Sequence, residues 1–144
     1  MGTSDTPPRT PYVLDNQIGF VLRRVSQRHL GIFSEAIPDL TTTQFAALAK
    51  LAEHGALSQN HLGRETAMDA ATIKGVVDRL RKQGLIETTA DPGDRRRLTV
   101  ALTVKGRQLF EKSALPALAV SARTLAPLDP ADRALLMEFL LKLI

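Results

Sequence analysis

The chain has no cysteine in its 144 residues. That excludes disulfides, a thiolate-held metal and a thiol-oxidation switch, and a cytoplasmic setting is expected. No apolar stretch is long enough to cross a bilayer, so no membrane partner is expected. The opening residues, Met1 to Pro11, are polar and proline-rich with no apolar segment of the kind a signal peptide needs. They are expected to form a flexible arm over residues 1–14. Catalytic signatures are missing as well. There is no nucleophile elbow, no His-Glu-x-x-His, no phosphate-binding glycine loop and no dinucleotide fingerprint, so neither an enzyme nor a cofactor is expected. His54 and His61 lack the helical spacing of a ligand pair and have no cysteine beside them, which argues against a metal site.

What the chain does have is positive charge in one place. The net charge is +4. Residues 1–57 hold five Lys or Arg against five Asp or Glu, and residues 113–144 hold three against three. Residues 58–112 hold eleven against seven, so the entire excess lies there. Phosphate binding needs such a distribution, and a solvated basic surface without a partner has it too.

Helical periodicity and end signals mark the outer segments. From Asp15 to about Ile37, apolar residues at Ile18, Val21, Leu22, Val25, Ile32, Phe33 and Ile37 follow a helical stripe, with His29 on it. Pro38 ends that helix. Thr41 and Gln44 form a capping box for the next, flanked by Leu40 and Phe45 at the staple positions, and Gly55 stops it after His54. Thr103 caps a helix of about 104–126, in which Pro116 predicts a kink or a break. Asp129-Pro130 starts a last helix to Ile144 that carries Leu135, Leu136, Phe139, Leu140 and Leu141. So much apolar surface in terminal helices points to a shared dimer interface, the alternative being that both helices close one monomeric core.

Between these lies the informative stretch, residues 58–103. Ser58 caps a short helix of about 59–65, and Asp69 caps another of about 70–83 that ends at Gly84. In the second, Ile73, Val76, Val77 and Leu80 must face a core. Ala71, Thr72, Lys74, Gly75, Asp78 and Arg79 then face out. Small residues at the start of that face permit close approach to base edges, and Thr72, Lys74 and Arg79 supply donors. Leu85–Thr89 and Leu98–Leu102 are β-rich, and Ala90–Arg97 between them contains Asp-Pro-Gly-Asp, a turn signal. The hairpin therefore carries an extended tip with Arg95, Arg96 and Arg97. Two short helices followed by a basic hairpin form a winged helix-turn-helix, a device for reading duplex DNA. The fold class expected is mainly α with a small β-hairpin wing. Its parts are the arm (1–14), a dimerisation helix (15–39), the DNA-binding module (40–103) and C-terminal dimerisation helices (104–144).

Three local words resemble the MarR family (multiple antibiotic resistance regulators). They are Leu40-Thr41-Thr42-Thr43-Gln44-Phe45; Val76-Val77-Asp78-Arg79-Leu80 with Gly84-Leu85-Ile86; and Asp94-Arg95-Arg96-Arg97 followed by Leu102-Thr103-Val104-Lys105-Gly106. The resemblance covers about Asp15 to the C-terminus. It implies a homodimer whose terminal helices interlock and whose two winged modules straddle adjacent major grooves of double-stranded DNA. It implies that Thr72, Lys74 and Arg79 face the major groove, that Arg96 enters the minor groove, and that Asp94 braces the wing by pairing with a neighbouring arginine. The chain departs from the family at Lys74-Gly75, where many members carry Ser or Thr followed by Arg. The words Phe20-Val21-Leu22-Arg23-Arg24-Val25 and Met68-Asp69-Ala70-Ala71-Thr72-Ile73-Lys74-Gly75-Val76 resemble a branch that controls aromatic catabolism, in response to aromatic acids, aldehydes or aromatic acyl-CoA thioesters.

On the first long helix, Arg23, Arg24, Gln27, Arg28 and His29 form a polar cluster. Arg24 and Arg28 share a face and suit a carboxylate or a CoA phosphate; paired with Glu35 or Asp39, they would be an ordinary solvated face. His29 is either a core histidine or a ligand contact. The resemblance implies an effector pocket near Phe33, Phe45 and Leu48. The expected function is a ligand-responsive repressor released from a palindromic operator. The alternatives are a constitutive or architectural DNA-binding protein with no small ligand, and a helical interaction protein whose basic wing is incidental.

Overall fold

The computed structural model describes residues 2, 5–7 and 9–144. The arm expected over 1–14 therefore falls partly outside the described residues; within it, 9–13 have no regular secondary structure. A 3-10 turn at Leu14–Asn16 occupies the start expected for the first helix, which begins later: α1 spans Ile18–Ala36. It ends as anticipated at Ile37, ahead of Pro38.

The other elements follow in order: α2 (Thr42–His54), β1 (Leu57–Ser58), α3 (Gln59–Glu65), α4 (Ala70–Lys82), β2 (Ile86–Asp91), β3 (Asp94–Leu102), α5 (Val104–Leu125) and α6 (Pro130–Leu141). The last helix stops short of the chain end at Ile144. The five helices α2 to α6 each start with a side-chain cap, whereas Gln17 at the start of α1 makes none. The Thr41 hydroxyl accepts from the Gln44 N–H at 3.1 Å, and the Gln44 side chain accepts from the Thr41 N–H at 3.1 Å, closing the capping box. Ser58, Asp69, Thr103 and Asp129 accept from the backbone N–H of His61, Thr72, Gly106 and Asp132. At Gly84 the backbone turns through φ +73°, the left-handed conformation that ends α4 and sends the chain into β2.

The core lies inside the winged helix-turn-helix module. Leu48 and Leu51 of α2, Leu62 of α3, Ile73, Val77 and Leu80 of α4 and Val100 of β3 are all buried. Phe33 and Ile37 from the end of α1 and Val120 from α5 join the same cluster, so the long helices are docked into the module and do not merely flank it. Burial of each aliphatic side chain stabilises the fold by roughly 1.5–3 kcal/mol.

Two expectations need correction. The proline in α5 does not break it: the helix runs unbroken from Val104 to Leu125 through Pro116. Proline removes one hydrogen bond, but Ser113 before it and Val120 after it are both buried. Packing on either side holds the helix through the defect. The hairpin also differs. β3 starts at Asp94, not Leu98, and the turn is Pro92–Gly93. Asp91 Oδ1 accepts from the Gly93 N–H at 2.9 Å and Asp94 Oδ1 from the Arg96 N–H at 3.0 Å, and these two local bonds carry the strands further than side-chain patterning suggests. The sheet has a third strand the sequence did not disclose: the order is β1-β3-β2, all antiparallel, with Leu57 opposite Val100.

Candidate nucleic-acid interface

α4 presents the surface its periodicity requires. Ile73, Val76, Val77 and Leu80 are buried, while Ala71, Thr72, Lys74 and Arg79 are exposed and Gly75 is half-buried. Hydrogen bonding from Thr72 to the Asp69 cap holds that carboxyl below its ordinary value, so the start of α4 carries a fixed negative charge. Farther along, the Lys74 ammonium lies 3.1 Å from Asp78 Oδ2 and holds that carboxyl down as well. Arg81 stands 3.7 Å from the same carboxylate. Lys74 is therefore engaged along its own helix, whereas Arg79 has no ion pair among the described residues.

The three wing arginines sit on a bulge. Leu98 lies opposite Ala90 and Asp94 opposite Asp91, so Arg95, Arg96 and Arg97 have no partner across the ladder. All three are exposed. Asp94 braces the wing, but not as the resemblance implied: its carboxylate takes the backbone N–H of Arg96, and among the described residues it pairs with no arginine side chain. The guanidinium groups are left free. Arg96 and Arg97 share a polar concavity with Asp94 and with Ser58, Asn60 and Arg64 at and beyond the start of α3. Sequence reasoning missed Asn60 and Arg64. Their signal was available, because the first helix of a helix-turn-helix crosses the phosphate backbone and its exposed polar residues face it.

Behind the winged helix-turn-helix module, α1, α2 and α5 line a cavity of about 490 Å³ that is open to solvent on one side. It is lined by Phe33, Phe45 and Phe110, with His29, Thr42 and Ser121 supplying polar atoms and alanines much of the rest. The chain has only five phenylalanines and one tyrosine, and three of these six gather here. Phe33 meets Phe45 edge-on at 5.9 Å and 64°, and Phe45 meets Phe110 at 5.7 Å and 35°. Such a cage suits a flat apolar ring. Among the described residues, no charged side chain lines it.

Of the effector candidates, the structure brings His29, Phe33 and Phe45 to this cavity and leaves the others outside its lining. Leu48 is fully buried in the core. Arg24 is exposed on α1. Arg28 donates to the Thr124 carbonyl at 2.7 Å and the Arg123 carbonyl at 3.0 Å, satisfying the last turn of α5. Glu35 pairs with Arg123 at 3.2 Å and not with an arginine of its own helix. Phe110 and Ser121 are lining residues that the sequence did not disclose.

The sequence profile described as MarR family matches residues 39–97. The helix-turn-helix-type transcriptional repressor NicR of Pseudomonas putida is 39% identical over 137 residues, covering 94% of this chain and 87% of NicR. The chain belongs to the MarR family. Among solved structures, a probable transcriptional regulator from Pseudomonas aeruginosa is 50% identical with a TM-score of 0.87, covering 92% of this chain and 100% of that one. Bordetella bronchiseptica BpsR is 39% identical with a TM-score of 0.87, covering 93% and 97%; its structure is described as a mechanism for regulation of DNA binding by 6-hydroxynicotinic acid. This MarR-family chain is a DNA-binding transcriptional regulator with a winged helix-turn-helix at its centre.

The Lys74–Asp78 pair ties Lys74 to its own helix in the free protein. Asp78→Asn is expected to raise operator affinity several-fold and steepen its salt dependence, because it frees Lys74 and removes a negative charge from the exposed face of α4. Binding isotherms at three salt concentrations check this. Weaker affinity would show that Asp78 holds Lys74 in the posture that docks; unchanged affinity would show that the pair takes no part in docking.

Proposed function

We propose that this regulator is a homodimeric cytoplasmic repressor of genes for breaking down an aromatic acid, and that the acid releases it from a palindromic operator by binding in the phenylalanine-lined cavity. The cavity carries this conclusion. Its walls belong to the helices that hold the reading elements in place. α2 runs from Thr42 and Phe45 in the wall to Leu48 and Leu51 in the core beside α4. α5 runs from Thr103, whose N–H donates to the Leu85 carbonyl at the root of the wing, to Val120 and Ser121 in the wall. A ligand that spreads α2 from α5 repositions α4 and the wing together. Release requires only that the ligand bind the undocked form more tightly than the docked one.

Relatives support the ligand class, since NicR is named a repressor and BpsR answers to 6-hydroxynicotinic acid. The lining offers no lysine or arginine, so it suits neither the several phosphates of a CoA thioester nor a buried carboxylate; a small acid can still bind with its ring among the phenylalanines and its carboxylate at the solvent-open side. Two features support the dimer. Ile18, Val21, Leu22 and Val25 leave one side of α1 apolar and exposed. No residue of α6 is buried in its own chain, although Leu135, Met137, Phe139 and Leu141 are apolar. A two-fold pair closing on these helices would set the two wings for half-sites about one helical turn apart.

The test is fluorescence anisotropy on duplex DNA from the protein's own upstream region, titrated with 6-hydroxynicotinate and a panel of hydroxylated aromatic acids. Tight, salt-dependent binding that one compound releases is expected. Binding that no compound disturbs would replace this conclusion with a constitutive DNA-binding protein.

A further inference from the structure

We infer that Thr124 fixes the tautomer of His29, so that the cavity presents a hydrogen-bond acceptor and selects aromatic ligands bearing a ring hydroxyl or ring N–H. This rests on the cavity being the effector site and names the chemistry it reads.

One hydroxyl sets the proton positions. Thr124 Oγ1 lies 2.9 Å from the Val120 carbonyl oxygen and 2.8 Å from His29 Nδ1. A carbonyl only accepts, so the single hydroxyl hydrogen goes to Val120. What Thr124 then offers His29 is a lone pair, and Nδ1 must carry the hydrogen. The opposite arrangement, with the hydroxyl donating to Nδ1, leaves two oxygens 2.9 Å apart with no proton between them. With Nδ1 protonated, Nε2 of the neutral ring is a bare acceptor. Nothing among the described residues bonds to Nε2, and every unpartnered side-chain polar atom among them is solvent-accessible, so Nε2 of this cavity-lining histidine is open to an incoming group.

The relay is firmly seated. Val120 is 1% exposed, which anchors one end in the core. Arg28, next to the histidine, grips the same turn through the Arg123 and Thr124 carbonyls. The ring is therefore fixed in place and in proton position before a ligand arrives. A hydroxyl or a pyridone N–H placed at Nε2 completes the chain ligand→His29→Thr124→Val120, with each donor matched to an acceptor. A C–H at that place would dry the nitrogen without pairing it, and a carboxylate would face its lone pair. Sites built around such a bond reject the analogue that lacks it. Thr42 and Ser121, whose hydroxyls donate or accept with equal ease, discriminate far less.

Thr124 is thus a positioning residue that acts through His29. The probes are 6-hydroxynicotinate, which carries an O–H or, as the pyridone, an N–H donor, and nicotinate, which has neither. Wild-type protein is expected to prefer the first by roughly tenfold. Thr124→Val, of nearly the same shape, should reduce that preference to about twofold, mainly by weakening the hydroxylated compound, and Thr124→Ser should restore it. In parallel, nitrogen NMR of the ligand-free protein with ring-labelled histidine should show His29 protonated at Nδ1 and bare at Nε2, with His29→Gln assigning its signals among the three histidines. The Nε2–H tautomer would overturn the inference. So would an equal loss of both compounds in Thr124→Val, which is what a purely structural threonine gives. If wild-type protein binds neither compound, the effector reading of the cavity falls, and the ligand preference with it, in the first titration; the NMR spectrum still reports the tautomer separately.

Discussion

Arg96→Ala is expected to weaken operator binding on the order of a hundredfold while leaving the melting temperature unchanged. The side chain is exposed on the wing bulge, with no salt-bridge partner among the described residues, so its removal costs the free protein nothing. Its backbone is not free in the same way. Asp94 holds the Arg96 N–H at 3.0 Å, so the guanidinium projects from a fixed point and loses little backbone entropy on docking. A narrow minor groove concentrates negative potential and attracts such a group. One good arginine contact is worth about 1–3 kcal/mol, and a two-fold dimer makes it twice. Arg96→Lys should keep the salt dependence but recover only part of the affinity, since an ammonium cannot reproduce the planar fork. Unchanged affinity of Arg96→Ala at physiological salt would remove the wing from the reading mechanism. A comparable loss in Arg64→Ala would instead place the weight on phosphate contacts from α3.

What the sequence disclosed and what it hid divide along the range of the interactions involved. Thr41, Ser58, Asp69, Thr103 and Asp129 could be read as caps because each accepts from an N–H three residues on, a bond set by the local chain. The buried stripe of α4 was legible for the same reason. β1 was not, because two residues form a strand only where β3 lies beside them. The wing hid its bulge, since that depends on side-chain oxygens of Asp91 and Asp94 taking the place of ladder bonds. At the cavity, His29, Phe33 and Phe45 lie on stripes visible in α1 and α2. Phe110 and Ser121 come from a helix far along the chain and carry no local mark. The partners of Arg28 were hidden for a related reason: they are backbone carbonyls, and any residue has those.

The second large effect is on folding. Gly106→Ala is expected to destabilise the protein by about 3 kcal/mol or more and lower its melting temperature by roughly 10 °C. Gly106 is buried in the first turn of α5, where its N–H donates to the Thr103 cap at 3.0 Å. Thr103 also donates through its N–H to the Leu85 carbonyl at 3.1 Å and through its hydroxyl to the Gly84 carbonyl at 2.7 Å. The start of α5 is thereby drawn against the entry to the wing. A β-carbon on residue 106 would overlap the Leu85 carbonyl oxygen and lie 2.8 Å from its carbonyl carbon. Both obstructions are backbone, so no side-chain rotation relieves them. The chain must part α5 from Leu85, and with it the Thr103 bonds and the seat of the wing. That is the physical content of the Leu-Thr-x-x-Gly word: threonine to bind the junction, glycine to let it close. Gly75 supplies the control. Nothing lies within 4 Å of its missing β-carbon, and it sits mid-helix in α4. Gly75→Ala should raise stability by up to about 1 kcal/mol through helix propensity alone. If Gly106→Ala melts like wild type, the α5–wing junction is looser than its bonds imply, and a ligand acting on α5 has no rigid lever through which to move the wing.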